Sequence, residues 1–260
     1  MRTIPFFQVD AFADTPLTGN PAAVMPLERW IDDAVMQAIA AENNLSETAF
    51  TVPSDSDEAD YDLRWFTPVS EVALCGHATL ASGHVLMTGD HVRFSTKSGM
   101  LIVNRHDGVL ELDMRAANLT QVEEPELCRA LGLANSDVWL ADGYNDAAII
   151  EVADEDAVRA LTPDFAGLKK IHRMAVVTAR GISYDIVDRV FVPYLGIDED
   201  PVTGSAHAAL VPYWAERLGR TDFTALQAST RSGVLHCRLR GDRAVLGGTC
   251  HTVIEGQFQL

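Results

Sequence analysis

Three stretches of the chain carry side chains that could move a proton or hold an anion. Glu47 stands in Asn43-Asn44-Leu45-Ser46-Glu47-Thr48-Ala49-Phe50, at the entrance of an apolar run. A carboxylate shielded by neighbours such as Leu45, Ala49 and Phe50 can take a proton from carbon, provided the product anion is stabilised. Taken alone, it is as simply a solvated carboxylate at a strand start. Cys75-Gly76-His77 enters an apolar helical stretch. A histidine at a helix N-terminus is expected to be kept neutral by the local dipole, able to donate or accept. The Cys75 thiol could be activated there, or be an inert buried thiol. The third stretch is Asp198-Glu199-Asp200-Pro201-Val202-Thr203-Gly204-Ser205-Ala206-His207. Pro201 forces Asp200 toward extended backbone, Gly204 admits close backbone approach, and Ser205 can cap the helix while facing a ligand. An acidic, capped helix start accounts for Asp198, Glu199 and Ser205. It leaves unexplained why the same turn design occurs at Cys75-Gly76-His77.

Recurrence extends beyond the turns. Ser95-Thr96-Lys97-Ser98-Gly99-Met100-Leu101 returns as Ser229-Thr230-Arg231-Ser232-Gly233-Val234-Leu235, with five of seven positions identical. Tyr61-Asp62 and Arg64-Trp65-Phe66-Thr67-Pro68 are echoed by Tyr184-Asp185 and Arg189-Val190-Phe191-Val192-Pro193. Three landmarks in the same order indicate an internal duplication. Two related halves are expected to enclose a cleft fed by two helix N-termini, a setting for small polar ligands. Aligning the turns sets Cys75 against Thr203, so a symmetric pair of thiols is not available.

The elements that must position these groups follow from the hydrophobic pattern. Strands are expected at 4–12, 22–27, 47–52 and 63–66, with two or three more between 92 and 114. Helices are expected at 32–43 and 77–88. In the second half, short helices at 125–133 and 154–161 accompany strands at 139–140, 147–152, 174–178 and 186–192, and a long helix spans 205–218. The strands look antiparallel. Both long helices are apolar around much of their circumference, which requires burial on several sides. A curved sheet wrapped around each helix meets that need. The fold class is therefore α+β, two pseudo-symmetric domains, each a curved mixed sheet around a central helix. Their expected extents are 1–116 and 117–260, with the final strand free to cross back to the first half.

Composition narrows the function classes. The 260 residues are 47% hydrophobic and 22% charged, ordinary values for a chain with one large core or two smaller ones. A formal net charge of −17 without any basic run disfavours nucleic acid and anionic membranes as partners. No apolar run suits a membrane span, and the first residues lack the apolar core of a signal peptide. Cys75, Cys128, Cys237 and Cys250 form no CxxC pair, so free thiols in a reducing cytoplasm are expected. His77 and His84 lie seven apart, but that helix face offers no third ligand at suitable spacing, so no functional metal is expected. No GxGxxG turn is present, and no organic cofactor is expected.

An ordered set of motifs resembles the phenazine-biosynthesis PhzF-like family, whose fold is that of diaminopimelate epimerase. It comprises Val9-Asp10-Ala11-Phe12, Thr18-Gly19-Asn20-Pro21, Ser46-Glu47-Thr48-Ala49-Phe50, Arg64-Trp65-Phe66-Thr67-Pro68, Glu71 with Cys75-Gly76-His77-Ala78-Thr79, and Glu199-Asp200-Pro201-Val202-Thr203-Gly204-Ser205. The resemblance implies Glu47 as the catalytic acid/base, with His77 and Asp200 as further catalytic positions. It implies Gly76, Gly204, Ser205, Cys75, Thr203 and Asn20 as substrate-binding. The family reaction it implies is a cofactor-free proton shift between carbons of a small cyclic acid. The expected activity is therefore isomerisation of an unsaturated amino or hydroxy carboxylic acid, the two helix N-termini holding its carboxylate. The alternatives are a two-base epimerase or racemase and a non-catalytic small-molecule binder. A homodimer stays open.

Overall fold

A computed structural model describes residues 3–134, 136–144 and 146–260. The chain forms two compact units. One runs to Asp113 and takes in Gly247–Leu260; the other covers Met114–Leu246. The final strand, Cys250–Gln259, thus belongs to the first unit, where it pairs antiparallel with Thr3–Ala11.

The sheet is mixed, as the expected fold class has it, although the individual strands looked antiparallel. In the first unit Thr3–Ala11 pairs with Asn20–Pro26, which runs parallel to Glu47–Pro53 with Ala22 opposite Glu47. Glu47–Pro53 is antiparallel to Tyr61–Phe66, and that strand is parallel to His91–Thr96. Parallel neighbours need a crossover, and helices Asp33–Asn43 and Gly76–Leu86 supply the two required. The hairpin strands Gly99–His106 and Val109–Arg115 follow.

The second unit uses the same plan. Ala148–Glu151 lies parallel to Ala175–Arg180, which is antiparallel to Ile186–Val192. Ile186–Val192 is parallel to Asp222–Gln227, and helix Gly204–Leu218 makes that crossover. Several elements were not legible in advance, three of them prominent in this unit. Leu119–Val122, within the stretch read as a boundary, is a strand paired with Val138–Ala141. Phe165–Ile171 is a helix of only seven residues, capped by Asp164, too short to show a period. Ile197–Asp200 is a short strand against Ile186–Val192.

Burial explains both long helices. Residues 76–83 of Gly76–Leu86 are all buried, and the helix packs on strands of its unit from Thr3–Ala11 through Cys250–Gln259. Gly83 permits this seating, because a Cβ there would stand 2.7 Å from the Val103 side chain. On the outer sheet face, Met36, Ile39 and Ala40 of helix Asp33–Asn43 cluster with Met25, Phe50, Val52 and Phe66. Side chains alternate along a strand. With Phe50 and Val52 facing outward, Glu47, Ala49 and Thr51 are in phase with the central helix.

Candidate active site

The alternation that directs Glu47 inward brings it to the first turn of helix Gly76–Leu86. His77, the second residue of that helix, places Nε2 3.0 Å from Glu47 Oε2. Their side chains are 6% and 17% exposed. The approach lacks the alignment of a hydrogen bond, so Glu47 Oε2 is a buried oxygen without an aligned donor. Asn20 enters from the neighbouring parallel strand. A positive φ at Gly19 sets up that strand start, where any Cβ would collide with the Ala11 carbonyl. The Ser46 hydroxyl donates to Asn20 Oδ1 at 3.0 Å, and Asn20 Nδ2 meets His77 Nδ1 at 3.2 Å. In this orientation Nδ1 accepts from the amide, and Nε2 carries the ring proton toward Glu47.

The charge state expected of His77 is corrected by its surroundings. Burial acts to lower its pKa, Cys75 and Glu47 act to raise it, and the net direction is well above the ordinary value. Burial pushes the Cys75 thiol up to about 11, so it is uncharged at neutral pH. The Glu47 carboxylate is then the partner that favours a charged imidazole. Full protonation also requires the Asn20 amide to turn, so that its oxygen faces Nδ1–H. Cys75 Sγ lies 3.6 Å from His77 Nδ1 and 4.0 Å from Nε2. It precedes the helix in extended backbone and makes no side-chain cap.

The other expected residues form a separate group in the second unit. Thr203, in extended backbone, is the N-cap of helix Gly204–Leu218. Ser205 is therefore the second helical residue and not the cap expected. It is half-buried, as is Asp200. The Thr203 hydroxyl donates to Asp200 Oδ2 at 2.5 Å. Gln227, fully buried, binds the turn together: its Oε1 accepts from Thr203 N at 2.7 Å, and its Nε2 donates to Asp200 O at 2.7 Å. Nothing in the sequence repeat marks Gln227, because its counterpart by alignment is Arg93. Beneath the turn, His207 Nδ1 lies 2.9 Å from Thr203 O and Nε2 3.1 Å from Asp188 Oδ1, with both side chains 0% exposed. Both ring nitrogens face oxygens, though the approach of Nε2 to Asp188 lacks the alignment of a hydrogen bond. Burial opposes a charge on the ring, but Asp188 and the Thr203 carbonyl outweigh it and raise the pKa.

Two further findings bear on the expected roles. Glu47, Cys75 and His77 offer ligand atoms within 4.8 Å of one another, which removes the argument that His77 has no third ligand near it. Glu47 arrives from another strand, so helical spacing did not reveal it. His84 instead meets Thr252 at 3.1 Å. A surface hollow lined by Asp60, His91 and Arg93 shares no residue with this cluster, and its Asp60 carboxylate is already forked by Arg93.

Comparison with known proteins places the chain among relatives of similar length. A family profile described as phenazine biosynthesis-like protein matches residues 9–256. An uncharacterized isomerase of Pseudomonas aeruginosa is 48% identical over 264 residues, covering 99% of each chain. The crystal structure of a phenazine biosynthesis protein of the PhzF family from Enterococcus faecalis superposes with a TM-score of 0.92 at 43% identity, covering all of both chains. A hydroxyproline epimerase from Agrobacterium vitis matches with a TM-score of 0.62 at 13% identity, over 98% of this chain and 92% of its own, a likeness of fold alone. The described residues contain no helix long and apolar enough to cross a membrane.

Proposed function

The chain belongs to the phenazine biosynthesis-like family, with the diaminopimelate epimerase-like fold, and from that premise we propose that it is an isomerase using Glu47 as its acid/base. The substrate class is a small unsaturated amino or hydroxy carboxylic acid. Glu47 takes a proton from a carbon next to the conjugated acid, and the C–H electron pair enters the conjugated system. The resulting Glu47 carboxylic acid, whose proton exchanges with solvent, delivers a proton to a different carbon of that system. Charge and atoms balance within the cycle, so no organic cofactor is called for.

The observation that carries this reading is the state of the Glu47 carboxylate. It is mostly shielded, held by His77 at 3.0 Å, and keeps one oxygen without an aligned donor. A carboxylate fully engaged by donors would be a poor base. His77, itself met by Asn20, holds it in place, and the N–H groups of a helix start, which have no intrahelical partner, are suited to an anionic substrate group. Asp200, Thr203, Gly204 and Ser205 are proposed to contact the substrate's polar groups, and that part rests on the family resemblance.

The epimerase alternative needs two bases on opposite faces of one carbon. Cys75 and Glu47 lie within 4.8 Å of each other, too close to flank a tetrahedral carbon. Cys75 is also a thiol at neutral pH. In the second unit, Phe191 opposite Ala175 matches Phe66 opposite Thr48, which makes the buried Met174 the counterpart of Glu47. Met174 cannot accept a proton.

The test is deuterium incorporation from D2O, followed by NMR, across a panel of cyclic and unsaturated amino and hydroxy acids. The reading expects exchange with a shifted double bond, abolished in Glu47→Gln. Exchange confined to the carbon bearing the amine, with inversion and no double-bond shift, would replace it with epimerisation. Binding without exchange, unaffected by Glu47→Gln, would replace it with a binding protein.

A further inference from the structure

We propose that Glu47, Cys75 and His77 together bind a thiophilic divalent cation, zinc foremost, and that zinc held there reversibly removes the base from action. The three residues offer one carboxylate, one thiol and one imidazole within 4.8 Å of one another. His77 Nε2 is 3.0 Å from Glu47 Oε2 and 4.0 Å from Cys75 Sγ. Zinc bonds of about 2.0–2.1 Å to nitrogen and oxygen and about 2.3 Å to sulfur, at tetrahedral angles, space such atoms roughly 3.3 and 3.6 Å apart. Rotation of the Cys75 side chain, whose Sγ stands 3.6 Å from Nδ1, toward Nε2 would convert the cluster into three corners of a tetrahedron. The fourth corner is left for water, as in open zinc sites.

The chemistry of the set selects the ion. Magnesium and calcium prefer oxygen shells, whereas a thiolate with imidazole suits zinc or cobalt. Glu47 Oε2 has no aligned donor, so coordination there displaces no hydrogen bond. The protons balance simply. The Cys75 thiol proton and the Nε2 proton of the charged imidazole leave to solvent, and the ring keeps the proton on Nδ1. Asn20, 3.2 Å from Nδ1, accepts that proton once its amide turns, the usual outer support of a metal-bound histidine. Carboxylate and thiolate then neutralise the divalent charge. The metal site stands on this geometry alone, while the inhibitory consequence rests on Glu47 being the base.

Cobalt(II) titration of the full chain in chelator-free buffer tests the site. A thiolate-to-cobalt charge-transfer band in the near ultraviolet is expected, saturating at one equivalent and displaced by zinc. It should vanish in Cys75→Ser and His77→Gln and persist in Cys250→Ser, which controls for the half-buried thiol. No band in the wild type, or a band lost with Cys250 and kept without Cys75, overturns the site. The second arm uses whichever panel compound undergoes deuterium exchange. Zinc should suppress exchange, a chelator should restore it, and Cys75→Ser should need at least about tenfold more zinc. A Cys75-dependent band with exchange untouched by zinc, while Glu47→Gln is inactive, overturns the inhibition. A Cys75-dependent band together with an active Glu47→Gln instead sinks the proposed base and leaves the metal site standing.

Discussion

The first unit opens its buried helix with Cys75-Gly76-His77 and the second with Thr203-Gly204-Ser205, from N-cap residues in nearly the same extended conformation. Each N-cap carbonyl is met by the side chain four residues on: Thr79 Oγ1 at 2.5 Å from Cys75 O, and His207 Nδ1 at 2.9 Å from Thr203 O. Each unit also carries an arginine forked onto a glutamate, Arg64 on Glu71 and Arg189 on Glu199, with bonds of 2.8 and 2.9 Å in both. The arginines stack over Phe66 and Phe191 at 5.2 and 4.9 Å. The frameworks match, yet the ionisable groups differ. In the first unit the histidine faces a carboxylate that is 17% exposed. In the second the histidine and carboxylate are sealed under the turn, and Gln227 fastens the loop. A duplicated scaffold thus holds a partly exposed carboxylate beside its histidine in one copy and a fully buried pair in the other.

The sharpest way to break this contrast is to exchange the roles by mutation. Glu47→Gln keeps the shape and hydrogen-bonding capacity but cannot take a proton from carbon. Deuterium exchange should fall about 10²–10⁴-fold while calorimetric binding and the unfolding midpoint stay near wild type. Retained exchange would show that the first unit holds no base.

The sealed pair should behave oppositely. His207→Gln leaves Asp188 buried without its counter-charge, and urea unfolding should show a loss of about 3–5 kcal/mol. The pH dependence carries a sign. The folded-state pKa of His207 lies above the ordinary 6.5, so its contribution is complete below 6.5 and is lost as the pH rises through the folded value. The stability gap between wild type and His207→Gln should therefore narrow as the pH rises through that folded value. A gap independent of pH would mean that His207 is not charged in the fold.

The matched arginines sharpen the comparison where the units ought to agree. Arg64→Lys and Arg189→Lys each lose a forked geometry that a single ammonium cannot reproduce, at about 1–2 kcal/mol apiece. Denaturation curves that separate the two by more than that range would undo the structural equivalence. The smallest effect is expected for Cys75→Ser, less than about tenfold in exchange rate, because an uncharged thiol contributes little as a base. A dead Cys75→Ser beside an active Glu47→Gln would invert the assigned roles.

Much of this organisation was legible in the chain before any coordinates. The echoes at Arg64/Arg189 and Ser95/Ser229 gave the duplication, because repeats of sequence impose repeats of local structure. The apolar circumference of the two long helices gave their burial, and Glu47 at the head of an apolar run gave its place at a strand start. These are properties of residues close in sequence, where period and propensity act. What the tertiary structure decided spans longer separations. Parallel pairing set Ala22 beside Glu47 and carried Asn20 to His77, and strand register turned Glu47 inward to meet a helix thirty residues later. The charge tendency of His77, the bracing role of Gln227, the sealing of Asp188 with His207 and the membership of the last strand in the first unit all followed from such contacts. No local pattern fixes them, because a side chain's partners across a sheet depend on register and crossover, which the whole chain settles at once.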